Sequence, residues 1–552
     1  SSLGLRGTRV DIDLKPSGKS NISLATDSFG NVGAIEVNSD GQTSNITSTE
    51  QVLEISENNE TTSRDKTDDE KEEAKSVGET LIKSSKIDEE EITKQLQQKL
   101  EDGNLQDANN DGVVDESDVE VAKEQITSEK KQNIDFIVEN SKDENTEFLS
   151  DVINQSDEKS TGEVIEKIIE NKDNLVEGVV ENLSDKDNKF LTSSTSEGAG
   201  LIKEKIFETI VAKETDKSAA ILSKVMAKAD DATVASVINN ITEKNTNEDS
   251  KLSLKVMADF SEKNPEKLET LAQNNADQIE KLTISAVEKA ESSKEDADLI
   301  AKVVAVASDE LVNKVVEEVS KNSTEENQSL SAKVMKSIVE TNPEKIETLS
   351  DENKDTMINQ TIEAAKNQAE GSSADEVDLT NTIAEIVTNS DTATAAKVLE
   401  KLDEASDESD SKLSLSVVSN LTKQENYEEK MEILSVTSTI VEQNITKLVE
   451  KAVENASSEE DLELVTNIVE NSKGTIADKV INSANKNEES KKKITEVIVK
   501  VVEKNPEKAV EIIEKNENTN TVLETVKTKI EKGEAVSTDD FEEVFKNNVS
   551  PN

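Results

Sequence analysis

Leu252, Val256, Met257 and Phe260 fall at i, i+4, i+5 and i+8, with Lys, Ser and Asp between them, which makes one apolar stripe on a helix of 3.6 residues per turn. Asn264 and Pro265 follow. Asn is a good N-cap and Pro suits the first helical position, where its missing N–H costs nothing, so this stretch predicts a helix, a stop and a new start. The same quartet occurs upstream as Leu175, Val179, Val180 and Leu183. It returns downstream as Leu330, Val334, Met335 and Ile338, as Leu413, Val417, Val418 and Leu421, and as Ile494, Ile498, Val499 and Val502, at steps of 77, 78, 83 and 81 residues. A second marker, Val152-Ile153, Val237-Ile238, Val315-Val316, Val398-Leu399 and Val480-Ile481, recurs at steps of 85, 78, 83 and 82. Residues 131–548 therefore read as an α-solenoid of about five units near 80 residues, each holding two helical hairpins whose stripes are covered by their neighbours.

The segment Asn-Pro-Glu-Lys begins at Asn264, Asn342 and Asn505, decays to Asn426-Tyr-Glu-Glu in the fourth copy, and is replaced by Asp187-Asn-Lys-Phe in the first. It takes three of the five prolines and reads as structural punctuation. A hairpin of about 40 residues is close in length to HEAT and armadillo-type repeats, without the signature of either. High charge and few aromatics argue for a loose array, yet disorder would not require quartet and cap to return in register. The many Glu and Lys side chains read as a solvated face with i,i+4 pairs, an acidic binding groove being the lesser alternative. Phe541 and Phe545, four residues apart, predict a terminal helix over the array's open end.

The N-terminal tenth has a different period. Val10, Ile12 and Leu14, Ile22 and Leu24, Ile35 and Val37, and Leu53 and Ile55 alternate with polar residues, predicting strands in a small partial β-domain over 1–56. Pro16-Ser-Gly18, Asp27-Ser-Phe-Gly30 and Ser39-Asp-Gly41 read as turns. Residues 57–86 hold almost nothing apolar and read as an acidic disordered linker. Ile92, Leu96 and Leu100 then mark a helix starting near Asp88, within a helix-loop-helix over 87–130.

The loop of that unit carries the most specific chemistry in the chain. Asp107, Asn109, Asp111 and Asp115 stand at positions 1, 3, 5 and 9 of a twelve-residue segment, Val113 at position 7 offers its carbonyl, and Asp118 at position 12 closes it. Gly112 at position 6 permits the sharp turn and Val114 at position 8 is expected to pack inward. A hard dication needs six to eight oxygens, and carboxylates this close repel one another without it, so the spacing predicts calcium. Unneutralised, the flanking helices are expected to splay.

Composition narrows the function classes. Of 552 residues 33% are apolar and 2% aromatic, too few for large compact cores, and 64 basic against 120 acidic residues give −56. That charge disfavours nucleic acid and anionic membrane surfaces, and no apolar run reaches the length of a membrane span. With no Cys and no His, thiol nucleophiles, imidazole bases and most zinc, copper or haem ligand sets are gone. Ser-x-x-Lys spacings and paired carboxylates arise by chance in such a chain, so no catalytic residue is assigned and no enzyme is expected. The chain opens on Ser1-Ser2 and enters strand-like sequence at once, which reads as a piece cut from something longer.

Gly4-Leu-Arg-Gly-Thr8, a strand, Asp27-Ser-Phe-Gly-Asn-Val32 and a closing strand resemble the later part of a FecR-like β-domain. That family occurs in iron-signalling regulators and in large exported proteins. The loop Asp-x-Asn-x-Asp-Gly-x-Val-Asp-x-x-Asp is similar to dockerin and EF-hand calcium loops, present here once. Dockerins carry two copies and bind cohesins, so the resemblance implies the ion and its ligands rather than a cohesin partner. Together these lead to an expectation of a non-catalytic, calcium-binding helical-repeat protein, exported or on a bacterial cell surface. It would act as spacer, scaffold or adhesion surface toward an unknown protein or a surface glycan, without membrane insertion. The alternative is a FecR-like sensor of iron-uptake signalling.

Overall fold

Four strands pair in chain order as an antiparallel meander: β1 (Arg9–Asp13), β2 (Ser20–Thr26), β3 (Val32–Asn38) and β4 (Thr43–Asn45). Val10 is opposite Leu24, Ile12 opposite Ile22, and Ile35 opposite Asn45. The computed structural model describes these strands and residues 85–541, apart from 142, 144–145, 195–198, 245–249, 372–374, 376, 408–411, 473 and 516–520. The expected strand at Leu53 and Ile55, the three turns, the Gly4–Thr8 segment, Phe545 and all of the expected linker but its last two residues lie outside the described residues.

The chain divides into two units, Ser1–Leu282 and Thr283–Asn552. In the first, the meander is followed by α1 (Glu89–Glu101), α2 (Glu116–Asn140), α3 (Thr146–Gln155), α4 (Glu158–Asn171), α5 (Val176–Asp185), α6 (Lys189–Thr192), α7 (Ala199–Val211), α8 (Asp216–Lys228), α9 (Asp231–Lys244), α10 (Leu252–Lys263) and α11 (Pro265–Asn274). Helices α3, α5, α8 and α10 pack one on the next in a first row, and α4, α7 and α9 in a second. After α12 (Ala276–Glu288) the second unit contains α13 (Lys294–Val306), α14 (Asp309–Asn322), α15 (Leu330–Thr341), α16 (Glu344–Glu347), α17 (Asp351–Ala369), α18 (Leu379–Asn389), α19 (Thr392–Asp407) and α20 (Leu413–Lys423). Then come α21 (Tyr427–Thr437), α22 (Thr439–Asn455), α23 (Glu459–Asn471), α24 (Thr475–Asn482), α25 (Glu488–Lys504), α26 (Pro506–Lys515) and α27 (Thr521–Glu531). Its rows are α13, α15, α18, α20, α23, α25 and α14, α17, α19, α22, α24. This is the α-solenoid of helical hairpins that the periodicity predicts.

The quartets occupy α5, α10, α15, α20 and α25, all in first rows, except that Leu175 ends a 3-10 turn just ahead of α5; every member is buried except Val499. In α25 Val497 and Val501 are buried instead, so the stripe of the last copy is turned by part of a residue step. The polar face of α10 is less solvated than its amphipathic pattern predicts, because Ser253 and Ser261 are buried. Serine tolerates this by turning its hydroxyl back on its own helix, and Ser261 Oγ donates to the Met257 carbonyl at 2.7 Å. Val152-Ile153 must be reassigned. They lie in α3, which packs on α5 as α8 packs on α10, and the second-row place before α5 belongs to α4, with Val164, Ile165 and Ile168 buried.

The recurring Asn-Pro-Glu-Lys segment works differently from a simple cap. Pro265 is at the start of α11, but the Asn264 side chain makes no cap hydrogen bond, whereas Asn505 accepts from the Lys508 N–H at 3.1 Å. The lysine does more: Lys267 Nζ donates to the Ala227 carbonyl at 2.7 Å and Lys345 Nζ to that of Ala307 at 2.8 Å. Lys430 Nζ donates to the Ser390 carbonyl. Each ammonium thereby satisfies a carbonyl at the C-terminus of a helix in the preceding hairpin, the negative end of that helix. Many ion pairs likewise join repeats rather than turns of one helix, as in Lys205–Glu166 at 3.0 Å, Lys224–Glu181 at 3.1 Å, Lys255–Asp216 at 2.8 Å and Lys397–Asp355 at 2.5 Å. The solvated face of i,i+4 pairs is thus only part of the account.

Two contacts give testable consequences. Gly178 in α5 faces Thr146 of α3, and a Cβ there would lie 2.9 Å from Thr146 Cγ2 and 3.0 Å from its Cβ. Gly178→Ala should therefore destabilise by about 1 to 3 kcal/mol through overpacking, although Ala favours the helix by up to about 1 kcal/mol. A thermal melt unchanged or raised would show that α3 and α5 are not held this close. In the second unit Lys333 Nζ bonds the Ser292 carbonyl at 2.6 Å and Asp375 at 2.9 Å, with both side chains largely buried. Burial opposes the Asp375 charge, but the Ser329 hydroxyl, the Lys333 ammonium and the Val377 N–H outweigh it and hold the carboxyl below its ordinary value. Such stability is present above the unfolded-state value and lost as pH falls through the lower folded one. Lys333→Met should cost about 3 kcal/mol at neutral pH, and in acid melts the difference from the parent should vanish. A difference that persisted in acid would locate the loss in packing instead.

At the end of the described residues Thr538–Phe541 forms a 3-10 turn, pinned by Asp540 to Lys529 of α27 at 2.9 Å; the rest of the expected terminal helix lies outside the described residues.

Candidate calcium loop

Helices α1 and α2 are a packed pair: Ile92, Leu96, Leu105, Val119, Ala122 and Ile126 form one buried cluster between them. Asp88 caps α1 by accepting from the Glu91 N–H at 3.1 Å. Asp115 caps α2, which starts at Glu116 and runs unbroken to Asn140, so the boundary expected at residue 130 falls inside a helix. The first half of α2 completes the cluster with α1, while Ile134 and Val138 of its second half are also buried. The start of α1 is tied to the array as well. Asp157 N donates to the Ile87 carbonyl at 2.7 Å, Glu89 N to Asp157 Oδ2 at 3.0 Å, and Ile87 N to Ser156 Oγ at 3.2 Å. Lys130 Nζ closes the joint on the Lys86 carbonyl at 2.8 Å. The helix-loop-helix is joined directly to the first hairpin of the array.

The loop turns where the spacing predicts. Gly112 takes φ +87° and Asn110 φ +60°, left-handed conformations that Gly, and next to it Asn, adopt at least cost. Asp107 Oδ2 accepts from the Gly112 N–H at 2.8 Å and Oδ1 from Asp111 N–H at 3.2 Å. Asn109 Oδ1 accepts from the Asp111 N–H at 3.0 Å, and Asp111 Oδ1 from the Val113 N–H at 2.8 Å. Asp115 Oδ1 accepts from the N–H and hydroxyl of Ser117 at 2.8 and 2.5 Å. Asp118 is buried. Its Oδ1 accepts from Ala108 and Asn109 N–H at 2.8 and 3.2 Å, and its Oδ2 from Asp115 N–H at 2.8 Å. The Asp115 N–H above all, against the opposing effect of burial and with help from Asn109 and Ala108, holds the Asp118 carboxyl below its ordinary value.

All six assigned positions, Asp107, Asn109, Asp111, Val113, Asp115 and Asp118, are therefore brought onto one tight loop. They offer only oxygen donors, which suits a hard cation. They are not drawn to a common point: among the described residues no group of three or more acidic side chains is gathered to hold an ion. Each carboxylate instead accepts from N–H groups of the loop. Asp118 departs furthest from a ligand, since its Oδ1 already accepts two hydrogen bonds and only Oδ2 keeps free capacity. The inward position expected for Val114 is also wrong. Val113 is 57% and Val114 45% exposed, because α1 and α2 close their core with Leu105 and Val119 on either side of the loop and leave its middle outside. Ser117, whose hydroxyl joins Asp115 and Asn109, and the anchors Ser156 and Asp157 were not singled out in the sequence. The Asp157-Glu-Lys-Ser160 cap, with Ser160 N–H on Asp157 Oδ1 at 2.7 Å, is the signal that points to the latter.

The fold thus defines a helical-repeat protein carrying one acidic loop at the start of its first array. No family model and no curated protein matches the chain. Among solved structures, an engineered protein from the Northeast Structural Genomics Consortium aligns with 88% of this chain and 97% of its own at 13% identity, with a TM-score of 0.28. A circular tandem repeat protein with novel repeat topology and enhanced subunit contact surfaces aligns with 90% of this chain and 94% of its own at 16% identity, with a TM-score of 0.16. At such scores the assignment of the fold rests on the helices themselves. No described helix is long and apolar enough to cross a membrane.

Proposed function

We propose that the chain is a non-catalytic calcium-binding repeat protein, exported or displayed on a cell surface, whose array acts as a spacer or scaffold presenting a surface to a protein or glycan. The observation that carries the calcium part is the Asp107 carboxylate folded over the Gly112 N–H. It leaves Asp107, Asn109, Asp111, Asp115 and the Val113 carbonyl on one short loop with only oxygen to offer. These residues would hold the ion, whose charge would relieve the repulsion among the carboxylates. Asp118 would contribute through Oδ2 while still fastening the loop to the start of α2. The scaffold part is supported by rows of hairpins clamped to one another through lysines and ion pairs, a construction that keeps a long array in register. Titration of the full chain with calcium by calorimetry tests the first part. One site with a dissociation constant on the order of 0.1 to 1 mM is expected for a lone loop of this kind. Heat that fits only many weak sites, as diffuse attraction to an acidic surface gives, would remove the loop from the proposal.

A further inference from the structure

The last turns of α21 and the first turn of α22 carry three large apolar side chains in water: Ile433, Val436 and Ile440 are 43%, 80% and 68% exposed. Only Val113, Val114 and Leu201 share this state among the described residues, and none of these forms a group of three. The corresponding ends of α11 and α12 show that the repeat does not require it. Lys267 and Lys430 occupy one structural place, each donating to the carbonyl at the end of a helix some 40 residues earlier. Counted from them, Ile433, Val436 and Ile440 correspond to Thr270, Gln273 and Asp277, all exposed. One copy thus replaces three polar surface positions by β-branched apolar ones, without placing them in its core: Met431, Leu434 and Val441 fill that role.

Exposed Glu429 and Glu432 precede Ile433 on α21 and exposed Glu442 follows Ile440 on α22; Lys430 is committed to Ser390, and Lys479 to Thr446 and Glu442, so Glu429 and Glu432 supply the acidic rim. We propose that Ile433, Val436 and Ile440 form a docking patch for a basic amphipathic protein segment, one that sets apolar residues on the patch and Lys or Arg against the rim. Charge selects this occupant. A second copy of a chain carrying −56 would meet the same acidic rim, and an anionic lipid surface would be repelled. A partner with its own positive charges gains both apolar burial and complementary rim contacts, the usual division of labour in an interface.

The test uses the full chain and a fluorescein-labelled 14-residue helical peptide of alternating Leu and Lys faces, with two controls: the same peptide with Glu for Lys, and one with Ser for Leu. Anisotropy at physiological salt should show micromolar binding of the Leu/Lys peptide alone. The variant Ile433→Thr, Val436→Gln, Ile440→Asp copies side chains that the array already carries at these places, so it should fold. It should lose affinity at least about tenfold even though it adds a negative charge. The reciprocal variant Thr270→Ile, Gln273→Val, Asp277→Ile should gain a second site. Equal binding of the Leu/Lys peptide to parent and first variant, or equal binding of the Ser/Lys peptide, would overturn the proposal in favour of diffuse acidic attraction. Concentration-dependent self-association of the parent that the first variant abolishes would overturn it in favour of a second copy. Flotation with anionic vesicles, lost in the same variant, would overturn it in favour of a membrane.

Discussion

Phe260→Asp should lower stability more than any other substitution considered for the array, and should do so locally. Phe260 is 2% exposed in α10, where Leu252, Leu254, Val256, Met257 and Ala258 are buried with it, and α10 packs on α8. Removing a buried Phe side chain costs about 3 to 5 kcal/mol through lost burial and the cavity left behind. An unpaired carboxylate in the same place adds a desolvation penalty of several kcal/mol, roughly, or forces the helix out of its row. Repeat arrays hold together by nearest-neighbour contacts, so the damage should not spread evenly. Hydrogen exchange should rise first across Asp216–Lys228 and Leu252–Asn274, while the helices of Thr283–Asn552 keep their protection. Phe260→Leu, which keeps most of the apolar volume, should show only a mild form of this pattern. Protection across α8 and α10 that is the same in the Asp variant as in the parent would mean that Phe260 does not lie between those helices.

The helical rows were legible because one quartet states the whole stripe. Leu330, Val334, Met335 and Ile338 lie on one helical face in the sequence and are all buried in α15. What the pattern could not carry was any relation between side chains about 40 residues apart. Lys345 looks like one of many surface lysines until the Ala307 carbonyl is found beneath it, and Lys224 looks solvated until Glu181 is found at 3.1 Å. The Val152-Ile153 pair misled because two adjacent apolar residues fit a helix of either row, and only packing separates α3 from α4. The break expected at residue 130 failed for a related reason. Val119, Ala122 and Ile126 face α1, and Ile134 and Val138 continue the buried stripe down the same helix, so no change in composition marks where the loop unit ends. In the calcium loop the turn was legible from Asp107 and Gly112, since φ above zero restricts the residue type. The destination of Asp118 was not: a side chain at the third position of a helix can bind an ion or return to the backbone, and the spacing serves both.

Calcium should stabilise α1 and the beginning of the array together, and Asp107→Ala with Asp111→Ala should abolish that effect while leaving the helices folded. The loop closes on α2 through Asp118, α1 packs on α2, and the start of α1 is bonded to Ser156 and Asp157 between α3 and α4. An ion on the loop therefore acts on one continuous set of contacts. With a dissociation constant on the order of 0.1 to 1 mM, about 10 mM calcium stabilises the bound form by about 1.4 to 2.7 kcal/mol. That is enough to slow amide exchange about 10- to 100-fold wherever opening requires the ion to leave. The slowing should cover Glu89–Glu101, the start of Glu116–Asn140 and the Asp157 amide, and fade toward α8. Asp107 and Asp111 take N–H bonds of the turn but no part of the buried core, so the double variant should exchange faster at the Asp111, Gly112 and Val113 amides while its helices keep the exchange pattern of the calcium-free parent. Magnesium, which demands a tighter octahedral shell, should protect less at the same concentration. Calcium-dependent protection that survives the double substitution would place the ion on other carboxylates of this acidic chain. Protection confined to the loop would show that α1 can open without disturbing Asp157, and the proposed coupling between ion and array would fail.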